Sequence, residues 1–178
     1  PSLRAVAPER TWHLASLSKS IAAGLRFGAI VAPTGLGEAA RVALQHGFFG
    51  LSRPLADIVE ELMRSGDAQR LKLAVREDFE LRLQIALNAL GRYQVTWQPG
   101  LSFLWLRLPS GWRASTFTRQ AESVGVLIRS ADEYALVDGH APNAVRIALA
   151  GNVPLARFED AMTRLARLLD NPSGDLAM

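Results

Sequence analysis

The sequence predicts a mixed α/β chain built in two parts, and three patterns carry that expectation. Leu71, Val75, Phe79, Leu83, Ala86, Leu87 and Leu90 recur at helical spacing, so one long helix with a single buried stripe is expected over residues 67–90. Beyond Gly91 the period shortens to that of strands, at residues 93–97 and 101–108, with Pro99-Gly100 between them. Ahead of both, residues 11–33 read as strand, polar turn, strand.

Taken in order, residues 1–10 read as a loop without helix or strand. After the 11–33 segment, Leu36, Ala39, Ala40, Ala43 and Leu44 give a helix over 34–46, broken by the glycines around Phe48-Phe49-Gly50. A helix over 52–64 follows, with Pro54 tolerated in its first turn and Ile58, Val59, Leu62 and Met63 on one side. In the strand over 101–108 both faces are apolar, which suits a strand covered on both sides. Residues 113–124 read as a helix, 126–129 and 144–149 as strands, and Leu155, Phe158, Met162, Leu165 and Leu169 as an amphipathic closing helix. The tail, 171–174, is expected to fray.

With 178 residues and 49% apolar composition, the chain is long enough to bury a real core. There is no cysteine, hence no disulfide framework or thiolate chemistry, and His13, His46 and His140 have no metal-ligand spacing. The formal charge is +3, and the 20 basic residues are interspersed with 17 acids rather than gathered in a run, so this segment offers no obvious nucleic-acid stripe. No apolar run approaches the ~20 residues of a spanning helix, and a soluble protein without a membrane partner is expected.

The chemistry concentrates in residues 11–33. Residues three apart in a turn share a face, so Ser16 and Lys19 would direct a hydroxyl and an amine at one spot, with Ser18 between them. Arg26 adds a guanidinium whose fork suits phosphate, and Gly24 and Gly28 leave room for close backbone approach. An amine that is to form a covalent bond to a carbonyl must shed its proton, which cationic or apolar neighbours such as Arg26, Leu17, Ile21 and Leu25 favour. Ser-x-x-Lys is also the nucleophile pattern of serine β-lactamases, but neither Ser-Asp-Asn nor Lys-Thr-Gly occurs in the chain.

Ser-x-Ser-Lys-x-x-x-x-Gly-Leu-Arg-x-Gly resembles the cofactor-attachment segment of fold-type I aminotransferases, which depend on pyridoxal 5'-phosphate (PLP). The resemblance implies that Lys19 carries the cofactor covalently as the catalytic residue and that Ser16, Ser18 and Arg26 bind its phosphate. Ala23 departs from the family, which usually has proline there. Pro-Gly-Leu-Ser-Phe-Leu-Trp-Leu-Arg-Leu-Pro resembles the strand that opens the family's small domain. Pro-Asn-Ala-Val-Arg-Ile-Ala-Leu-Ala-Gly resembles its late arginine strand, which implies that Arg146 grips the substrate carboxylate. On the pattern alone, an arginine on a strand's polar face is solvent-exposed or ion-paired, although the alternation with Ala144 and Ala148 leaves room around Arg146 for a ligand; Tyr134 and Trp105 read as core.

In that family the lysine lies more than halfway along the chain. The resemblance therefore implies a C-terminal fragment: residues 1–70 the remnant of the large PLP-binding domain, 71–178 the small domain. It is closest to the aminotransferase-like region of MocR-type regulators of the GntR family. That implies an effector domain responding to an amino acid or amine, a homodimeric cytoplasmic parent, and DNA contact only through a winged-helix module outside this sequence. The alternative is a stand-alone aminotransferase acting on an amino acid and a 2-oxo acid. In either case the groups that orient the cofactor lie upstream in the family, so the fragment alone is expected to be inactive and not to retain PLP.

Overall fold

The computed structural model describes residues 2–47, 50–149 and 153–171, and the chain divides into two compact units, Pro1–Val75 and Arg76–Met178. Phe48 and Phe49, part of the expected helix break, lie outside the described residues, as do 172–174 of the expected tail.

The first unit opens with a short helix, α1 (Leu3–Val6), where a loop was expected. Ser2 caps it by accepting from the Ala5 amide at 3.3 Å, a short polar cap that no apolar period signals. Arg4 Nη1 donates to the carbonyls of Ala32 (2.8 Å) and Thr11 (3.2 Å), tying α1 to the base of a two-stranded antiparallel ribbon. The ribbon pairs β1 (His13–Ser16) with β2 (Gly28–Val31), His13 opposite Val31 and Ser16 opposite Gly28. Helices α2 (Gly37–Gly47) and α3 (Arg53–Arg64) follow. The start of α2 is delayed beyond residue 34 because Gly35 turns the chain at φ 89°. Every residue of both strands is exposed, Leu14 at 73%, and only Pro33, Val59 and Ala68 are buried among the described residues of this unit.

Helix α4 (Asp67–Leu90) runs as the sequence predicts, and the division between the units falls within it. The second unit contains a four-stranded antiparallel sheet in the order β3 (Val95–Thr96), β4 (Phe103–Arg107), β6 (Ala144–Ala148), β5 (Arg129–Ser130). Strand alternation sends Leu104 and Leu106 of β4 and Val145 and Ile147 of β6 to one face, where all four are essentially fully buried. They pack with Leu83, Ala86 and Leu90 of α4, with Phe117 and Ala121 of α5 (Ala114–Ser123), and with Phe158, Met162, Leu165 and Leu169 of α6 (Leu155–Asp170). The edge strands are shorter than their apolar runs suggest. Val126 is buried, but only Arg129 and Ser130 pair with β6.

Local signals explain where the elements stop. Helix α5 ends at Gly125, φ 78°, where the Val126 amide bonds the Ala121 carbonyl (2.8 Å) and the Gly125 amide the Glu122 carbonyl (2.8 Å), a Schellman closure that needs a left-handed residue. The start of α5 is capped from a distance, since Asn143 Oδ1 accepts from the Ala114 amide (2.9 Å) while its Nδ2 donates to the Trp112 carbonyl (2.7 Å). The buried Arg82 of α4 is satisfied by Asp78 (2.7 Å), by the Val153 carbonyl (2.8 Å) and by the Phe158 ring.

The end of α6 is fastened by Asp170, which accepts from Tyr93 Oη and Arg92 Nη2. The Tyr93 hydroxyl and Arg92 hold the Asp170 carboxyl below its ordinary value of 3.8. A carboxyl depressed by folding stabilises the folded state above its unfolded value and ceases to do so as pH falls through the folded one. The urea midpoint of the native chain should therefore exceed that of Asp170→Asn at about pH 6, with the gap closing toward about pH 2.5. A gap unchanged with pH would show that the fastening does not depend on the charge.

Candidate functional site

The loop closing the β1–β2 ribbon gathers Ser16, Ser18, Lys19 and Arg26. It is drawn together by the Leu17 amide bonding the Phe27 carbonyl (3.1 Å), and by the Leu17 carbonyl accepting from Ile21 (2.9 Å) and Ala22 (3.1 Å). Ser16 Oγ accepts from the Ser18 amide at 3.2 Å, and Ser20 Oγ donates to the Ser16 carbonyl at 3.3 Å. Lys19, Ser16 and Arg26 are exposed and Ser18 is half-buried. Neither Lys19 nor Arg26 pairs with an acid among the described residues.

Arg26 ends a short 3-10 turn, Ala23–Leu25, in the left-handed conformation at φ 45°, the one non-glycine with a positive φ among the described residues. That conformation is disfavoured for any residue carrying a Cβ. Gly24 and Gly28, by contrast, have no packing reason among the described residues. A Cβ would meet nothing within 4 Å at Gly24, and only the Ala15 carbonyl oxygen, at 3.5 Å, at Gly28.

Arg146 stands on β6 in the second unit, on the sheet face opposite the core, in register with Trp105 of β4 and Arg129 of β5. Its guanidinium carbon lies 4.2 Å from the Phe103 ring centroid and 5.5 Å from that of Tyr134. Nη1 donates to the Tyr134 hydroxyl at 3.1 Å. Among the described residues no carboxylate lies within ion-pair distance of it. A stacked, half-buried guanidinium without a counter-ion keeps a two-pronged donor edge that is able to pair with a planar anion.

Two sequence expectations are corrected here. Tyr134 is 49% exposed on a 3-10 turn, Ala131–Tyr134, and Trp105 is half-buried on the open face, so neither belongs to the core. Likewise β4 is fully buried on one face only, its Phe103 and Trp105 side being half covered. Tyr134 occurs in a stretch without period, and its place follows from Ser130, whose Oγ accepts from the Asp132 amide (3.3 Å) and starts that turn. A serine followed two residues on by aspartate was the available signal.

The architecture is that of a portion of the fold-type I aminotransferases. The α-aminoadipate aminotransferase LysN of Thermus thermophilus, solved with N-(5'-phosphopyridoxyl)-L-leucine, superimposes with a TM-score of 0.76 at 27% identity, over 90% of this chain and 42% of that one. The aromatic aminotransferase of Pyrococcus horikoshii has the same fold, with a TM-score of 0.78 at 18% identity over 92% of this chain and 44% of that one. In sequence, the chain is 29% identical over 171 residues to YdeF, an uncharacterised HTH-type transcriptional regulator of Bacillus subtilis (strain 168), covering 96% of this chain and 37% of the regulator. A second such regulator of that organism, YdfD, is 29% identical over 143 residues, 78% of this chain and 29% of the regulator. The chain thus spans well under half the length of these relatives, and no protein-family model matches it. Among the described residues no helix is long and apolar enough to cross a membrane.

Proposed function

We propose that this chain is the C-terminal part of an aminotransferase-like effector region in a transcriptional regulator of the MocR type. Residues 1–70 are the remainder of its PLP-binding domain and 71–178 its small domain. The observation that carries the proposal is the loop at 16–26, which carries the exposed Lys19, Ser16, Ser18 and a left-handed Arg26 that pairs with no acid among the described residues. A disfavoured backbone at Arg26 supports the reading, because residues held in such conformations cluster at functional sites. The donor set also fits a phosphorylated carbonyl cofactor: an amine for the carbonyl, with hydroxyls and a guanidinium for the phosphate.

In this reading Lys19 holds the cofactor covalently through Nζ, Ser16, Ser18 and Arg26 orient its phosphate, and Arg146 binds the carboxylate of the amino acid or amine-derived ligand. When bound, the cofactor supplies an electron sink at the ligand's α-carbon. The chain's own residues provide attachment and orientation. The longer protein is a cytoplasmic homodimer that contacts DNA through a winged-helix module outside this sequence. Similarity to LysN favours a second reading, a stand-alone transaminase; the presence of that DNA-binding module in the longer protein decides between them.

Borohydride reduction of the longer protein loaded with PLP, followed by peptide mapping, should fix the pyridoxyl mass on Lys19. Residues 1–178 alone should not retain the cofactor through dialysis and should show no transaminase activity. A label on Lys72, or none, removes the basis of the proposal.

A further inference from the structure

The open face of the second unit's sheet holds a cavity of about 520 Å³ that the proposed function does not use. Its floor is Trp105, Arg107 and Ala144, which the β4–β6 register places on one face, extended by Thr96 opposite Trp105 on β3. Its walls come from the segment after β5, including Tyr134 and Leu136. The volume suits a small organic ligand, and an apolar lining with few convergent polar groups is what such sites present. The polar groups here are cationic or neutral: Arg107, His140 and Thr96 line the cavity, and no acid does. Arg107 has no carboxylate within ion-pair distance among the described residues.

Arg146 does not line this cavity. Its guanidinium leans over Phe103, whereas the cavity extends past Trp105 to Arg107, at the other end of β4. Trp105 and Tyr134, edge to face at 5.4 Å, are common to both surroundings. Tyr134 lines the cavity and at the same time accepts from Arg146 at 3.1 Å. We infer that the cavity is a second ligand site, distinct from Arg146, for a small aromatic carboxylate: the ring sits against Trp105 and Tyr134 and the carboxylate pairs with Arg107. Occupancy moves the Tyr134 ring and so reaches Arg146 through its hydroxyl, which couples the two sites in both directions. The coupling rests on the proposed role of Arg146; the site itself does not.

The test is an amide NMR titration of the 178-residue chain with phenylacetate, using benzyl alcohol as the uncharged control and acetate as the ringless one. Phenylacetate should perturb Thr96, Arg107, Ala131 and Ala144 with a Kd that is roughly millimolar, as expected for a ligand of its size. Arg107→Gln, at an exposed position, should weaken it about tenfold by removing the charge-assisted bond, and Arg146→Gln should change the Kd far less, since Arg146 reaches the cavity only through the Tyr134 hydroxyl. In the native chain the Arg146 Nε resonance should also shift, and in Tyr134→Phe that shift should vanish. Loss of binding in Arg146→Gln but not in Arg107→Gln would overturn the second site while supporting the reading of Arg146. Equal binding of benzyl alcohol, or no perturbation at the cavity, would overturn the site outright. Persistence of the Arg146 shift in Tyr134→Phe would overturn the coupling alone.

Discussion

Phe117→Ala should destabilise the second unit by about 3–5 kcal/mol, the usual cost of emptying a fully buried aromatic site. Phe117 is among the largest side chains with no exposed surface, and it meets Trp112 edge to face at 5.1 Å. It belongs to the buried cluster that also holds Leu104, Val145 and the α6 residues, so the void would open inside the core rather than at a surface that could collapse. Against a typical total of about 5–15 kcal/mol, such a loss is a large share. Hydrogen exchange should show protection falling at Phe103–Arg107 and Ala144–Ala148. Leu14→Ala, at a side chain 73% exposed on the ribbon, should change stability by less than about 0.5 kcal/mol in the same chain. A Phe117→Ala chain as protected as the native one would mean that the helix and sheet faces do not form one cooperative core.

Arg146→Ala in the longer, PLP-loaded protein should weaken carboxylate ligands by about 2–5 kcal/mol while leaving the cofactor's absorbance unchanged. Removing one partner of a desolvated charge pair strands the other, and among the described residues no other cation stacks on Phe103 or Tyr134 to replace it. Arg146→Lys should recover only part of the loss, because an ammonium can neither make the two parallel bonds of a guanidinium nor stack flat on Phe103. Calorimetry with an amino acid and with its decarboxylated amine separates the effects. The amine should bind native and variant alike, and an equal loss for both would point to a disturbed fold.

Much of the fold was legible because helices announce themselves over many residues. The apolar stripe of α4 and the closing helix needed only periodicity. Short edge strands were not legible. Val126 and Ile128 continue an apolar run, yet pairing is decided by where β6 lies, and only Arg129 and Ser130 reach it. The loop bearing Lys19 was visible as a motif, but the backbone of Arg26 was not, since nothing in its residue type predicts a left-handed φ. Arg146 could be singled out from its strand's alternation and wording, whereas Tyr134 and Phe103 belong to its surroundings only through tertiary register. A solitary aromatic in an aperiodic stretch gives no sign of which face it will meet. Asn143, read as part of the arginine strand's wording, turned out to hold the start of α5.

The left-handed arginine sets two selections against each other. Glycine at position 26 would adopt φ 45° without penalty, relieving about 1–2 kcal/mol of backbone strain. A population of variants chosen for heat resistance alone would drift toward that glycine and discard the guanidinium, whereas one chosen for phosphate capture would keep the strained residue. The two demands meet at one backbone position, where no single residue type both relaxes the turn and supplies a guanidinium.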